Sequence, residues 1–207
     1  MLRSRIIPCL LVHNKVLVKT VKFSVEDGKY VGDPINAVKI FNEKHVDEIM
    51  VIDIDSSVEN REPDYEMIKN VATECRMPLC YGGGVKTVEQ VNHIISLGAE
   101  KVAVSSAAIE DPELLRKMSA AVGAQSVVLV LDVAKRGTFK KTYELLTING
   151  KKKTGIKLVD YLQQIKDIPY GEIVTNNIDR DRMMNGYDIE LSGIVREMTD
   201  VPMTILG

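Results

Sequence analysis

The chain lacks an excess of either charge. Its 27 Lys+Arg stand against 29 Asp+Glu, a net charge of −2 over 207 residues. No global field therefore favours nucleic acid or an acidic membrane surface. Cysteine is scarce, with Cys9, Cys75 and Cys80 lying in or beside apolar segments. A sparse, odd count fits small buried side chains in a reducing compartment better than a disulfide scaffold or a metal cluster. No apolar run approaches the length of a membrane span. The stretch Met1–Val12 turns polar too soon for a signal peptide, so the expectation is a soluble cytoplasmic protein. The three histidines, His13, His45 and His93, have no mutual spacing of a metal site or a triad, and neither metal nor cofactor is expected.

What the chain does have is a 45% hydrophobic content, enough for one large domain or two small ones. Short apolar strands are predicted at Ile6–Val12, Glu48–Asp53, Leu79–Tyr81, Lys101–Val104, Ser126–Leu131, Glu172–Thr175 and Pro202–Leu206. Amphipathic helices alternate with them. Asp33–Pro34 and Asp111–Pro112 each read as an N-cap followed by proline at the first helical position. Thr87 caps a third helix, which stops at Gly98. Strands alternating with helices predict βα units on a parallel sheet. Asn149–Gly150 is the exception, a tight hairpin turn between two short strands.

The sequence also resembles itself. "DEIMVIDID" (47–55) aligns with "GEIVTNNID" (171–179) at an offset of 124, and Gly83 meets Gly207 at the same offset. Two halves, about 1–121 and 122–207, are expected to build one barrel domain of the (βα)₈ class, an α/β fold of roughly 250 residues. By that arithmetic about one and a half βα units at the C-terminal end fall outside the 207 residues.

In such a barrel functional groups collect at the C-terminal ends of strands. Those ends are Leu11, Asp53, the glycines 82–84, Ser105–Ser106, Asp132 and Asn176–Asn177. "YGGGVKT" and "VAVSSAA" offer backbone N–H groups and hydroxyls to one phosphate, or else form tight turns with capping serines. Asp53 and Asp132 either do proton chemistry, or cap a following loop or pair with a local base such as Lys135. Lys19 lies in a loop of about twenty residues after the first strand, placed to close over a ligand or to remain solvated. At the opposite end Arg5, Glu48, Lys101 and Glu172 precede or open strands, and two bases with two acids can form an ionic ring on the barrel floor.

The motifs "RIIPCL", "VGDP", "GGG", "GAEKV", "VLDVAKR", "GEI", "IDRDxxxxGYD" and "KKKTG" resemble the HisF family, the cyclase subunit of imidazole glycerol phosphate synthase, over nearly the whole chain. The resemblance implies a (βα)₈ barrel that takes ammonia from a HisH-like glutaminase docked on its floor. It also implies an ammonia gate of Arg5, Glu48, Lys101 and Glu172, with Glu100 an acid at the glutaminase contact. The substrate that the resemblance implies is a bisphosphorylated ribulosyl compound. The first phosphate site falls on Gly84, Ser105 and Ser106, and further substrate contacts on Lys19, Asp53, Asn176, Asp181 and Gly207. Asp132 matches the catalytic aspartate of strand five. Its strand-one partner position holds Leu11, which cannot carry a proton. The sequence departs from the family pattern again at Thr20 and Arg182, where glycine is usual, and at Asn176–Asn177. Those departures imply an intact floor, reduced cyclase chemistry and a HisF-like subunit supplying ammonia for sugar amidation in surface-polysaccharide synthesis, beside a separate amidotransferase. The alternative is the cyclase subunit of histidine biosynthesis.

Overall fold

The computed structural model describes residues 4–137 and 141–206, so Gly207 lies outside the described residues. Two compact units emerge. One holds the chain up to Lys19 together with Lys29–Ala103; the other holds Thr20–Gly28 and the chain from Val104 onward.

In the first unit β1 (Cys9–His13) runs parallel to β4 (Ile49–Asp53), with Leu11 opposite Ile52 and Val12 opposite Asp53. β4 pairs in parallel with β5 (Leu79–Gly82), and β5 with β6 (Lys101–Val104). The connections are α1 (Pro34–Lys44), α2 (Tyr65–Glu74) and α3 (Val88–Ser96). Each helix starts where the chemistry asks for it. Asp33 accepts from the Asn36 amide ahead of Pro34, and Asp64 accepts from the Met67 amide. Thr87 and Gln90 complete a reciprocal capping box. Val38, Ile68, Val71, Val91 and Ile94 are buried on these helices, as are Ile49, Val51 and Leu79 on the strands. That buried set is the apolar stripe the helical periodicity requires.

The segment after β1 is not the predicted loop. It forms β2 (Val16–Val21), which returns antiparallel on β1, followed by its sheet neighbour β3 (Ser24–Gly32). Its turns are Asn14–Lys15 and Lys22–Phe23, with both residues of each pair at positive φ. Two left-handed residues in succession match the twist of a two-residue hairpin. Lysine and phenylalanine are poor signals for that conformation, which is why the hairpins escape a sequence reading. Lys19 accordingly sits in a strand.

In the second unit β7 (Val127–Arg136) is parallel to β10 (Glu172–Asn177), and β10 to β11 (Met203–Leu206). The predicted strand from Ser126 was expected to stop at Leu131 but continues to Arg136. β8 (Thr142–Thr147) pairs antiparallel with residues 132–136 and extends it. β9 (Lys152–Lys157) pairs with β8 across the left-handed turn Ile148–Gly150, as the Asn-Gly signal predicts. The helices are α4 (Ser106–Glu110), α5 (Glu113–Val122), α6 (Leu158–Gln164) and α7 (Ile189–Met198). The helix expected to begin at Pro112 begins one residue later. Asp111 ends the short α4 that immediately precedes it, and its carboxylate accepts from the Glu113 amide.

Candidate functional site

Asp132 sits within β7, opposite Asn176 of β10 in parallel register and opposite Leu146 of β8. Its neighbours Leu131 and Val133, on the opposite face of the strand, are fully buried, while Asp132 itself is half-buried at the point where two pairing partners meet. Desolvation pushes its pKa from 3.8 up to about 7; Asp181 repels in the same direction, and a hydrogen bond with the Asn176 side chain opposes them. A carboxyl group poised near neutrality can both give and take a proton.

Asp181 is itself held. Its Oδ2 accepts from the Thr20 hydroxyl at 2.9 Å and from the Phe23 amide at 3.0 Å, and its carbonyl from the Lys22 amide. Phe23 packs on Ala134, Leu146 and Ile178. The tip of the hairpin is therefore pinned by a carboxylate and an apolar pad. Arg182 adopts φ 57°, the conformation that a glycine supplies freely. Asn177 donates to Asp188, which also accepts from Tyr143 and caps α7. It is a structural group.

The two serines divide their roles. Ser106 Oγ accepts from the Ile148 amide of the β8–β9 turn. Ser105 precedes α4, and its hydroxyl is buried without a protein partner. A buried hydroxyl without a protein partner, like that of Thr175 on β10, is open to a ligand or a water.

In the first unit Asp53 caps its own loop. It accepts from the Asp55 and Ser56 amides and from the Ser56 hydroxyl at 2.6 Å. Gly83, at φ 117°, lies so close that a Cβ there would stand 2.3 Å from the Asp53 carbonyl oxygen. Gly84, also left-handed at φ 71°, donates its amide to Ser57 Oγ. Leu11 is partly buried on β1. At the strand starts Glu48, 3% exposed, accepts from both Arg5 (2.9 Å) and Lys101 (2.6 Å) through one oxygen. Glu172, the fourth gate candidate, belongs to the second unit, where it accepts from the Thr204 hydroxyl at 2.6 Å. Glu100 accepts from the Leu79 amide.

One pairing escaped the sequence reading. His13 Nδ1 lies 2.6 Å from Asp55 Oδ1, while Asp55 Oδ2 accepts from the Asn14 amide. The partners are 42 residues apart, and only the β1–β4 adjacency brings them together. His93 stacks on Tyr65, and His45 closes α1 in the left-handed region. Among the described residues no group of His, Cys, Asp and Glu is arranged to hold a metal ion, and no helix is long and apolar enough to cross a membrane.

Parallel βα units with acidic, hydroxyl and glycine residues at the strand ends define an α/β chain of the βα-repeat class. The comparisons narrow that class. The family described as histidine biosynthesis protein matches residues 5–207. A putative imidazole glycerol phosphate synthase subunit hisF3 of Vibrio vulnificus (strain YJ016) is 51% identical over 207 residues, all of this chain and 78% of the relative. A putative hisF2 subunit of Pseudomonas aeruginosa is 45% identical over all of this chain and 81% of its own length. The imidazole glycerol phosphate synthase subunit HisF of Streptomyces coelicolor is 38% identical over 206 residues, covering 80% of its length. The chain belongs to the histidine biosynthesis protein family, in its HisF group, and its fold class is the (βα)₈ barrel type.

Proposed function

We propose that the chain is the HisF-type subunit of a glutamine-dependent synthase, receiving ammonia from a glutaminase partner and acting on a phosphorylated small molecule. The observation that carries the reading is Asp132, raised to about 7 beside Asn176 and Asp181. A group titrating near neutrality serves proton transfer, whereas the structural carboxylate of Asp53 is held by two amides and a hydroxyl. The unpartnered Ser105 hydroxyl supports a phosphate at that strand end. Imidazole glycerol phosphate formation is the acceptor chemistry that the family comparison favours.

A second reading rests on Leu11. A side chain without an exchangeable proton at the strand-one position favours delivery of ammonia to a separate sugar amidotransferase, with little cyclase turnover of its own. Identity falls from 51% and 45% for relatives named putative, with numbered HisF symbols, to 38% for the relative named without either mark. That gradient agrees with a specialised branch. Rescue of a histidine auxotroph lacking the cyclase subunit separates the two. Growth establishes the cyclase reading; failure, with the glutaminase still stimulated, establishes the second. Leu11→Asp is expected to raise cyclase turnover in the purified complex.

A further inference from the structure

A histidine stands on the same strand as the missing carboxylate. Side chains alternate along a strand, so His13 and Leu11 of β1 face the same way, about 7 Å apart at 3.3 Å per residue. The imidazole is not a free surface group. The Nδ1–Asp55 contact of 2.6 Å, to a carboxylate that is 8% exposed, makes Nδ1 the proton-bearing nitrogen. The Asn14 side-chain amide lies 2.9 Å from Nε2 and donates to it. Nε2 is thus left as the accepting nitrogen, and its hydrogen-bond partner among the described residues is an exposed amide on a hairpin turn that an incoming ligand can displace. Asp55 Oδ2 is fixed in turn by the Asn14 backbone amide at 2.7 Å, and Arg61 stands 4.0 Å from that same oxygen. Arg61 also pairs with Glu59 and lies in the field of Asp53, and Lys15 of the same turn pairs with Asp64 at 3.9 Å.

A buried carboxylate that orients a half-exposed imidazole at a strand end is the arrangement a general base requires. We propose that His13, held by Asp55, is the proton-transfer group of strand one in this chain, standing in for the carboxylate that Leu11 lacks. The inference rests on the synthase-subunit reading given above. As ammonia adds to a substrate carbonyl carbon, Nε2 takes one N–H proton, the electron pair staying on nitrogen, and passes that proton to the oxygen. A second transfer of the same kind protonates the hydroxyl as it departs as water. The carbonyl becomes an imine, and the imidazole ends as it began. Asp55 stabilises the imidazolium in between and is a positioning residue.

The test uses the full chain with its glutaminase, ammonium chloride as nitrogen source and the bisphosphorylated ribulosyl substrate. His13→Gln is expected to lower kcat by about 10²–10⁴-fold and to remove one limb of the pH profile. Asp55→Asn should lower kcat less and shift that limb. Adding Leu11→Asp to His13→Gln should restore turnover, which a folding defect would not permit. Unchanged kcat and pH profile in His13→Gln overturn the proposal. So does absence of turnover in the wild type, because His13 then fails to replace the carboxylate. Stimulation of the glutaminase by the wild-type chain tells the two failures apart. If it persists, only the role of His13 falls; if it too is absent, the synthase-subunit reading falls.

Discussion

Replacing Asp132 with asparagine should make the protein more stable and less active, and the gain should depend on pH. The native carboxyl holds its proton up to about 7, whereas an ordinary aspartate ionises near 3.8. Between those values the folded chain carries a proton that the unfolded chain has released. Raising the pH through this window therefore favours unfolding. Roughly three decades of proton affinity at 1.36 kcal/mol each amount to about 4 kcal/mol. Residual solvent contact at a partly buried side chain reduces that to about 2–4 kcal/mol. Asparagine keeps a polar partner for Asn176 and carries no charge. Urea unfolding of both proteins reads the effect directly, because every other titrating group cancels in the difference. The two chains should be nearly equally stable at about pH 4, and Asp132→Asn more stable by about 2–4 kcal/mol at about pH 8. Turnover of the variant should fall about 10²–10⁴-fold. A stability difference that stays flat across this range would refute the assignment of Asp132 as a carboxyl held neutral by burial.

Three further outcomes are expected. Glu48→Gln removes the carboxylate charge beside the ammonium of Lys101, 17% exposed, and should cost about 2–4 kcal/mol in chemical denaturation; Arg5, a third exposed, contributes the smaller part. Thr20→Val removes the hydroxyl that Asp181 accepts, should cost about 1 kcal/mol and should speed hydrogen exchange at the Phe23 amide, which shares the same carboxylate oxygen. Gly83→Ala drives a Cβ against the Asp53 carbonyl at positive φ, and should cost at least about 2 kcal/mol and lower the thermal midpoint.

Much of the architecture is legible in the chain because it rests on local chemistry. Asp33–Pro34, Thr87 with Gln90, and Asn149–Gly150 each fix a helix start or a turn through contacts only a few residues apart. The apolar run before Asp132 declares a buried strand in the same way. The motifs that resemble the HisF group are likewise strings of adjacent residues, so family and fold class could be read without coordinates. What local chemistry could not decide is where long-range partners end an element or share a proton. β7 runs on to Arg136 because β8 pairs with it, and the Lys22–Phe23 turn holds its left-handed conformation where Asp181 and an apolar pad receive it. The near-neutral pKa of Asp132 depends on the protein packed around it. His13 looks like any lone histidine until β1 and β4 align and bring Asp55 within 2.6 Å. Sequence determined the parallel strands, most helix starts and the family kinship, because those depend on neighbours along the chain. Tertiary structure decided the protonation states and the hydrogen-bond partners, because desolvation and charge act through space.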